Sequence, residues 1–455
     1  MSDLTLPVLG FLEKSLVFVF SLGLMIFVHE LGHFLVAKWC GVRVLTFSIG
    51  MGKKLIRFQR GETEYALSAI PFGGYVKMDG ETPDDPGAGD GRDFGSKSLP
   101  ARAAVAIAGP AMNVVLAFFI YAGLNFHFGV ETPPPVGINE VRQGMPAELA
   151  GLRAGDVLLR LDGIEIDTPQ QLSGIVRSTS EGSTVRIEVE RDGEALMFDV
   201  EPAFDEQYGA PLIGVGTEPR FEAVVGVVKK GGPGEAAGIE VGDRVLRVHG
   251  QEVRLWREVQ QLVDPFAEQS VEFAVRRGER EFLTSVVPET NRLIPARADG
   301  TRPPELGFYY AVPFREVGFG EALSVAATQT SNAGQLILVN LQQLVRGQVS
   351  REGVAGPIGI ATYIAESYDY GMRILLQLIA LISVNLAVVN LLPFPVLDGG
   401  QLVFLAIEGV ARRPLSQRLM MVCNQIGIVV LLLIFLFFSL NDIDRILPIS
   451  IFGGP

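Results

Sequence analysis

Apolar residues in this chain occur in two patterns, long unbroken runs and short alternations, and each predicts a different kind of element. Four runs, residues 16–37, 101–124, 374–392 and 419–440, are apolar enough to cross a hydrocarbon core, which needs about 20 residues as a helix. Residues 42–48, 54–59 and 65–70 instead alternate apolar with polar, with glycines between them, which predicts short strands in a hairpin or small sheet. That sheet continues through the turn Pro71-Phe72-Gly73-Gly74 into the strand-like Tyr75-Val76, and the Pro, Gly and Asp of residues 79–93 then predict a loop. Residues 321–346 have a helical composition but are dotted with Thr, Asn and Gln. They could form a fifth span or an amphipathic helix on the outer membrane surface, and the parity of crossings selects the surface helix.

Between the second and third runs the chain repeats itself. Residues 146–163 return 87 positions later as residues 233–250, with half of the 18 positions identical, among them Pro146/Pro233, Gly151/Gly238, Asp156/Asp243 and Gly163/Gly250. A short helix, a Gly-Asp turn, a strand and an x-Gly turn in this order resemble the PDZ domains of bacterial envelope proteases. Such a domain takes a peptide end as an added strand between a strand and a helix, although a small sandwich without peptide activity shares the pattern. The repeat also explains His249, which holds the turn position that Asp162 holds in the first copy.

Charge orients the runs. Lys38, Arg43, Lys53, Lys54, Arg57 and Arg60 follow the first run with no acidic residue before Glu62, and Arg412, Arg413 and Arg418 lie between the last two. Both loops are therefore expected in the cytoplasm, with both termini and the region around 130–370 on the far side. The 455-residue chain is 48% hydrophobic with positive mean hydropathy, as a membrane protein should be, and its net charge of −13 argues against a nucleic-acid partner. Cys40 and Cys423 both fall on the reducing side, so the exported part carries no thiol. Residues 1–13 lack the basic region and cleavage site of a signal peptide, so the first run is expected to stay as a membrane helix.

The chemistry sits inside that first run. From Leu16 to Ala37 the only ionisable side chains are His29, Glu30 and His33, a His-Glu-x-x-His motif. On a helix the two imidazoles at i and i+4 share a face and can reach one cation, and the Glu beside them can act as general base. Ionisable groups at membrane depth are expensive and mark function. A catalytic zinc usually takes three protein ligands and a water. Of the other histidines, His127 falls at the outer end of the second run and His249 in the second repeat, so a carboxylate is required. The third run ends in Asn390-Leu391-Leu392-Pro393-Phe394-Pro395-Val396-Leu397-Asp398-Gly399-Gly400, where two prolines break the helix and present Asp398 in the cytoplasmic half of the bilayer. In the second run Gly109-Pro110-Ala111-Met112-Asn113 interrupts an apolar helix; small residues permit close contact, and Asn113 is read as a packing residue.

His-Glu-x-x-His in a first membrane helix, Asn-x-x-Pro-x-Pro-x-Leu-Asp-Gly in a third and a repeated domain between them resemble the site-2 protease family of intramembrane zinc metalloproteases. The resemblance implies Zn²⁺ held by His29, His33 and Asp398, Glu30 as catalytic acid/base, and substrate binding by Asn390, Gly73, Gly74 and Tyr75. It implies single-span membrane substrates already trimmed on their outer side, such as an anti-sigma factor or remnant signal peptides, and a PDZ pair acting as a size-exclusion gate. The expected protein is polytopic and α-helical in the bacterial inner membrane, with four transmembrane helices, a small membrane-associated β-sheet and two extracytoplasmic α+β PDZ domains. Its expected order is a zinc-motif helix at 1–40, a β-hairpin region at 41–99, a second span at 100–126 and PDZ domains at 127–220 and 221–312. Amphipathic surface helices at 313–372, a third span with the ligand loop at 373–400, and a cytoplasmic loop with the fourth span at 401–455 complete it. The sheet at 42–75, next to the metal helix, would take an extended substrate as a strand or form a plug without substrate contact. Two other classes compete: a scaffold whose PDZ domains bind carboxyl termini, which needs no Glu30, and a transporter using intramembrane His and Asp.

Overall fold

A computed structural model of the chain describes residues 2–81, 87–180, 182–206, 209–290, 297, 301–348 and 354–446. Contacts divide it into two compact units, the first built from residues 1–129 and 316–455 with 292–295, the second from 130–291 with 296–315. Among the described residues the first unit holds seven α-helices: α1 (Ser2–Trp39), α2 (Leu99–Phe128), α3 (Phe319–Val345), α4 (Pro357–Asp369), α5 (Met372–Asn390), α6 (Asp398–Ala411) and α7 (Gln417–Ile446). Four segments, Gly10–Trp39, Leu99–Phe128, Met372–Asn390 and Arg418–Asp444, are long and apolar enough to span a membrane. They coincide with the four runs of the sequence. Their outward faces remain apolar, as Phe20, Phe119 and residues 431–437 show, because lipid rather than water is the solvent such faces suit.

α3 covers the segment expected as a surface helix at 321–346. Its face of Ala322, Ala326, Thr330, Ala333 and Ile337 is buried, and Ala333 and Ile337 share a core with Ala117 of α2 and with Ala380 and Val384 of α5. Asn125 of α2 donates to Ala322 O (3.4 Å) and Gln329 Oε1 (2.9 Å). Of its polar residues Gln329 meets α2, Thr328 and Thr330 donate to carbonyls of α3 itself, and Asn332, Gln335, Asn340, Gln342 and Gln343 are exposed, while the small residues of the buried face permit close approach of the helices. α4 bridges α1 and α7. Its Asp369 pairs with Lys14 at 2.6 Å, and the N–H groups of Gly356 and Gly359 at its start donate to the buried Asp442 carboxylate of α7. Residues 398–411, expected as part of a loop, form α6, held to α2 by Arg102–Glu408 at 2.8 Å.

The strands β1 (Val44–Arg60) and β2 (Thr63–Met78) each bend once, giving four strand segments joined by three ladders. Residues 44–49 pair on one side with 74–78 and on the other with 64–67, and 54–60 closes the far side against 63–68. The 74–78 segment is thus an edge, with one partner strand among the described residues. Val42, Val44, Phe47, Val76 and Met78 pack this sheet onto Ala37 of α1 and Val105 of α2. The loop expected at 79–93 follows; residues 82–86 of it, and 447–455 of the last expected segment, lie outside the described residues.

The second unit holds the two repeats. In the first, an antiparallel sheet runs Val215–Pro219, Val136–Val141, Val157–Leu161, Val185–Arg191, Glu194–Val200, with helix Pro169–Ser178 beside it. In the second, Gln251–Glu252, Arg244–Val248, Val271–Arg277 and Arg280–Val286 form one sheet, Val225–Val228 pairs with Phe308–Tyr310, and helix Trp256–Val263 lies alongside. Alternation does the burying: Val185, Ile187 and Val189 point into one core and Val271, Phe273 and Val275 into the other, every one fully buried. Asp162 and His249 both take left-handed turns (φ 49° and 48°), and His249 packs on Phe266.

The repeated Gly-Asp has a structural cause. Asp156 receives Arg191 through Nε (2.6 Å) and Nη2 (2.8 Å), and Arg191 also reaches Gly151 O; Asp243 receives Arg277 in the same way. Burial pushes the Asp156 carboxyl up, but the Arg191 hydrogen bonds and the Arg153 N–H outweigh it and hold it below the usual carboxylate range. A depressed carboxylate stabilises the fold fully above its ordinary pKa and stops doing so as pH falls through the depressed value. Asp156→Ala leaves the buried end of Arg191 unpaired and should cost the first repeat about 3 kcal/mol. Hydrogen exchange should then accelerate in strands Val136–Val141 and Val185–Arg191 and not in the second repeat; unchanged protection would show the pair to be dispensable.

Candidate metal centre

Three elements bring the site together. α1 supplies His29 and His33 one turn apart, α6 supplies Asp398 as its first residue, and α2 passes behind the imidazoles. The Nε2 atoms of His29 and His33 stand 3.2 Å apart, and the Asp398 carboxylate lies 3.2 Å from the first and 3.5 Å from the second. One donor atom from each of the three lies within 4.8 Å of the others, close enough to meet on one ion. A zinc ion with bonds of ~2.0–2.1 Å in tetrahedral array would space its ligand atoms by about 3.3–3.4 Å, so the observed spacings fit.

The back side of each imidazole decides which nitrogen faces the centre. His33 Nδ1 lies 2.8 Å from Val105 O, a carbonyl that can only accept, so Nδ1 carries the proton and Nε2 keeps a lone pair. His29 Nδ1 faces the amide of the fully buried Asn113, 3.3 Å from Nδ2, while Asn113 Oδ1 is buried with no partner among the described residues. Turning the amide over gives Oδ1 the His29 Nδ1–H and frees the second Nε2 lone pair. Two such lone pairs aimed at one another beside a carboxylate repel unless a cation sits among them, and the donor set of two imidazoles and a carboxylate suits zinc. Asn113, read from the sequence as packing, therefore belongs to the site. Only the helix crossing reveals it, although an Asn in an apolar helix was a visible signal. Gly109 has the same origin: a Cβ there would strike His33 Nε2 and His29 Nε2, so α2 can approach the imidazoles only with glycine at that position.

A cavity of 540 Å³ opens on the centre, lined by His29, Glu30, His33 and Asp398 and by Gly73, Gly74, Tyr75 and Asn390. All eight residues singled out in the sequence therefore border one space, although 369 positions separate the first from the last. Gly74 lies so close to α1 that a Cβ would come within 3.0 Å of Glu30 Cγ, which sets the edge strand directly over the motif. Glu81 and Gln401, which the sequence reading passed over, line the cavity too, and no Lys or Arg does among the described lining residues. Burial raises the Glu81 carboxyl above the usual carboxylate range; its Oε2 accepts the Met78 N–H at 3.1 Å. His127 lies in the last turn of α2 beside Phe128, more than three turns beyond Asn113.

The model of Peptidase family M50 matches residues 17–434. The regulator of sigma-E protease RseP of Escherichia coli K12 is 34% identical over 465 residues, covering 96% of this chain and 100% of that protein. Protease RseP of Yersinia pestis is 34% identical, covering 94% and 98%, and a Vibrio cholerae protein named as a zinc metalloprotease is 32% identical, covering 96% and 99%. Among solved structures, the PDZ domain of a Listeria monocytogenes SdrC-like protein matches 18% of this chain and 87% of its own length at 27% identity, with a TM-score of 0.17.

Proposed function

Because this chain belongs to peptidase family M50 and is a zinc metalloprotease of the site-2 type, we propose that it hydrolyses peptide bonds within the membrane segments of pre-trimmed single-span proteins, anti-sigma factors and remnant signal peptides among them, in the sigma-E envelope stress response. His29, His33 and Asp398 hold the zinc, and Glu30 is the acid/base. The observation that carries the reading is the convergence of two α1 imidazoles and the α6 carboxylate at 3.2–3.5 Å, with Glu30 in the same cavity. Zinc, when bound, polarises the scissile carbonyl and makes water a nucleophile at neutral pH. Glu30 takes a proton from that water and returns it to the leaving amine. Val105 O and Asn113 fix the two imidazoles from behind, so the three donors keep their aim as charge develops.

A helical substrate hides its carbonyls in i to i−4 hydrogen bonds and must unwind to be cut. The edge at 74–78 offers replacement partners, and Gly73, Gly74, Tyr75 and Asn390 all line the cavity. This favours strand addition over a plug. The two repeats act as PDZ domains outside the inner membrane and exclude substrates with bulky exported parts; both termini lie on that same side.

Two experiments test the reading. Chelation of zinc from the detergent-purified chain should abolish cleavage of a single-span substrate, and added zinc should restore it; cleavage indifferent to chelation would overturn the assignment of the centre. Deleting residues 136–308 should let untrimmed substrate be cut at a rate approaching that of trimmed substrate. Untrimmed substrate left intact by a deleted chain that still cuts the trimmed form would remove the gate.

A further inference from the structure

The edge at 74–78 has a built end. In an antiparallel strand the N–H groups of alternate residues point to the same side. Asp79 N–H donates inward, to Arg43 O at 2.9 Å, so those of Gly74, Val76 and Met78 point outward, away from the partner strand. The Val76 N–H faces the Glu30 carboxylate. The Met78 N–H is already taken, because it donates to Glu81 Oε2 at 3.1 Å. A strand added along the edge passes the acid/base at Val76 and meets no open N–H at Met78.

The turn that brings Glu81 back to the edge is pinned. The buried Asp79 pairs with Arg43 at 3.0 Å, and its carbonyl accepts the Phe94 N–H at 2.7 Å. Gly80 takes a left-handed φ of 64°, and a Cβ there would stand 2.8 Å from Asp93 Cβ. Met78 N–H is the one donor to Glu81 among the described residues, and no Lys or Arg is among the described lining residues of the cavity. A carboxylate held by its own turn, away from every cation and against an outward N–H, is placed as a cap.

We propose that Glu81 is a positioning residue that ends the docking edge at Met78 and so fixes the register of the bound substrate strand, which decides the bond presented to the metal centre. This rests on the reading above that the substrate is cut as an added strand. A slip of two residues keeps every side chain on its own face, so the alternation of the strand does not forbid it. An apolar membrane segment has few side chains to resist such a slip. A substrate carbonyl moved opposite Met78 would find its donor occupied and face the Glu81 carboxylate instead, leaving it unpaired.

The test uses the full chain in detergent and a synthetic peptide with one alanine–leucine span between short lysine-bearing ends, its products identified by mass spectrometry. The unaltered chain should cut one bond. Glu81→Ala opens the Met78 N–H and should send roughly a tenth or more of the cuts to a second bond two residues away, with zinc content unchanged. Glu81→Leu, closer in size to the native side chain, should do the same. Glu81→Gln keeps an acceptor for the Met78 N–H but cannot titrate, and should hold cleavage at the single bond. One unmoved bond in both apolar variants overturns the proposal. So does cleavage lost in Glu81→Gln, which would make Glu81 a proton carrier, or zinc lost from both apolar variants, which would make it a support of the metal centre. An unaltered chain that cuts nothing brings down the protease reading and the register stop together. An unmoved bond is seen only on a chain that cuts, so that failure leaves the protease reading standing.

Discussion

Glu30→Gln should reduce cleavage of a single-span substrate by about a thousandfold or more while the purified chain keeps its full zinc content. Glutamine preserves the size of the side chain and so the packing of Gly74 against it, where a Cβ would already stand 3.0 Å from Glu30 Cγ. It removes only the capacity to take and return a proton. General acid–base catalysis by one positioned group is worth about 10² to 10⁴ in rate, and here a single carboxylate serves both proton transfers. None of the three groups assigned to the metal is altered, so zinc should stay. The measurement is cleavage in detergent with zinc content determined on the same sample. Cleavage at the unaltered rate would show that another group, such as Glu81 of the same cavity, is the base. Zinc lost along with activity would show that Glu30 belongs to the coordination instead.

Asp398→Ala should release the zinc and with it all cleavage. Removing the carboxylate leaves two imidazoles, one ligand fewer than a catalytic zinc normally has from protein. Loss of an outer partner typically weakens a metal by about 10- to 100-fold, and loss of a direct ligand should exceed that. Asn113→Ala supplies the graded comparison, since it touches only the back of His29 at 3.3 Å and should fall within that narrower range. Competition with a chelator of known affinity ranks the three chains. Should Asp398→Ala and Asn113→Ala weaken zinc equally, Asp398 is no ligand. Asp398 is the first residue of α6, where a carboxylate favours the helix but by well under the scale of a whole fold, so the variant should remain folded.

Much of this was written in local pattern. The four apolar runs needed nothing beyond counting, because a hydrocarbon core demands a fixed length of helix whatever surrounds it. The sheet at 44–78 could be read from alternation, and the repeats from self-similarity, since each strand carries its own inward and outward faces. Where α3 packs was not legible locally, because Gln329 finds its partner, Asn125, on another helix. α6 escaped this reading because the prolines and glycines before it signalled a break, and nothing local said that a helix begins again at Asp398.

What the sequence by itself determined is the chemistry available: two histidines and a glutamate on one helical face, a carboxylate after a broken helix, and edge-strand glycines, each legible because its meaning depends on near neighbours. What only the tertiary structure decided is which of these meet and what stands behind them. The Asn113 amide and Val105 carbonyl that orient the imidazoles, Gly109 that lets α2 approach, and Glu81 on the cavity wall all act across helix crossings or between distant segments. The physical reason is that a short-range pattern fixes the direction of a side chain relative to its own element, while a site depends on where another element, tens or hundreds of residues away, comes to rest against it.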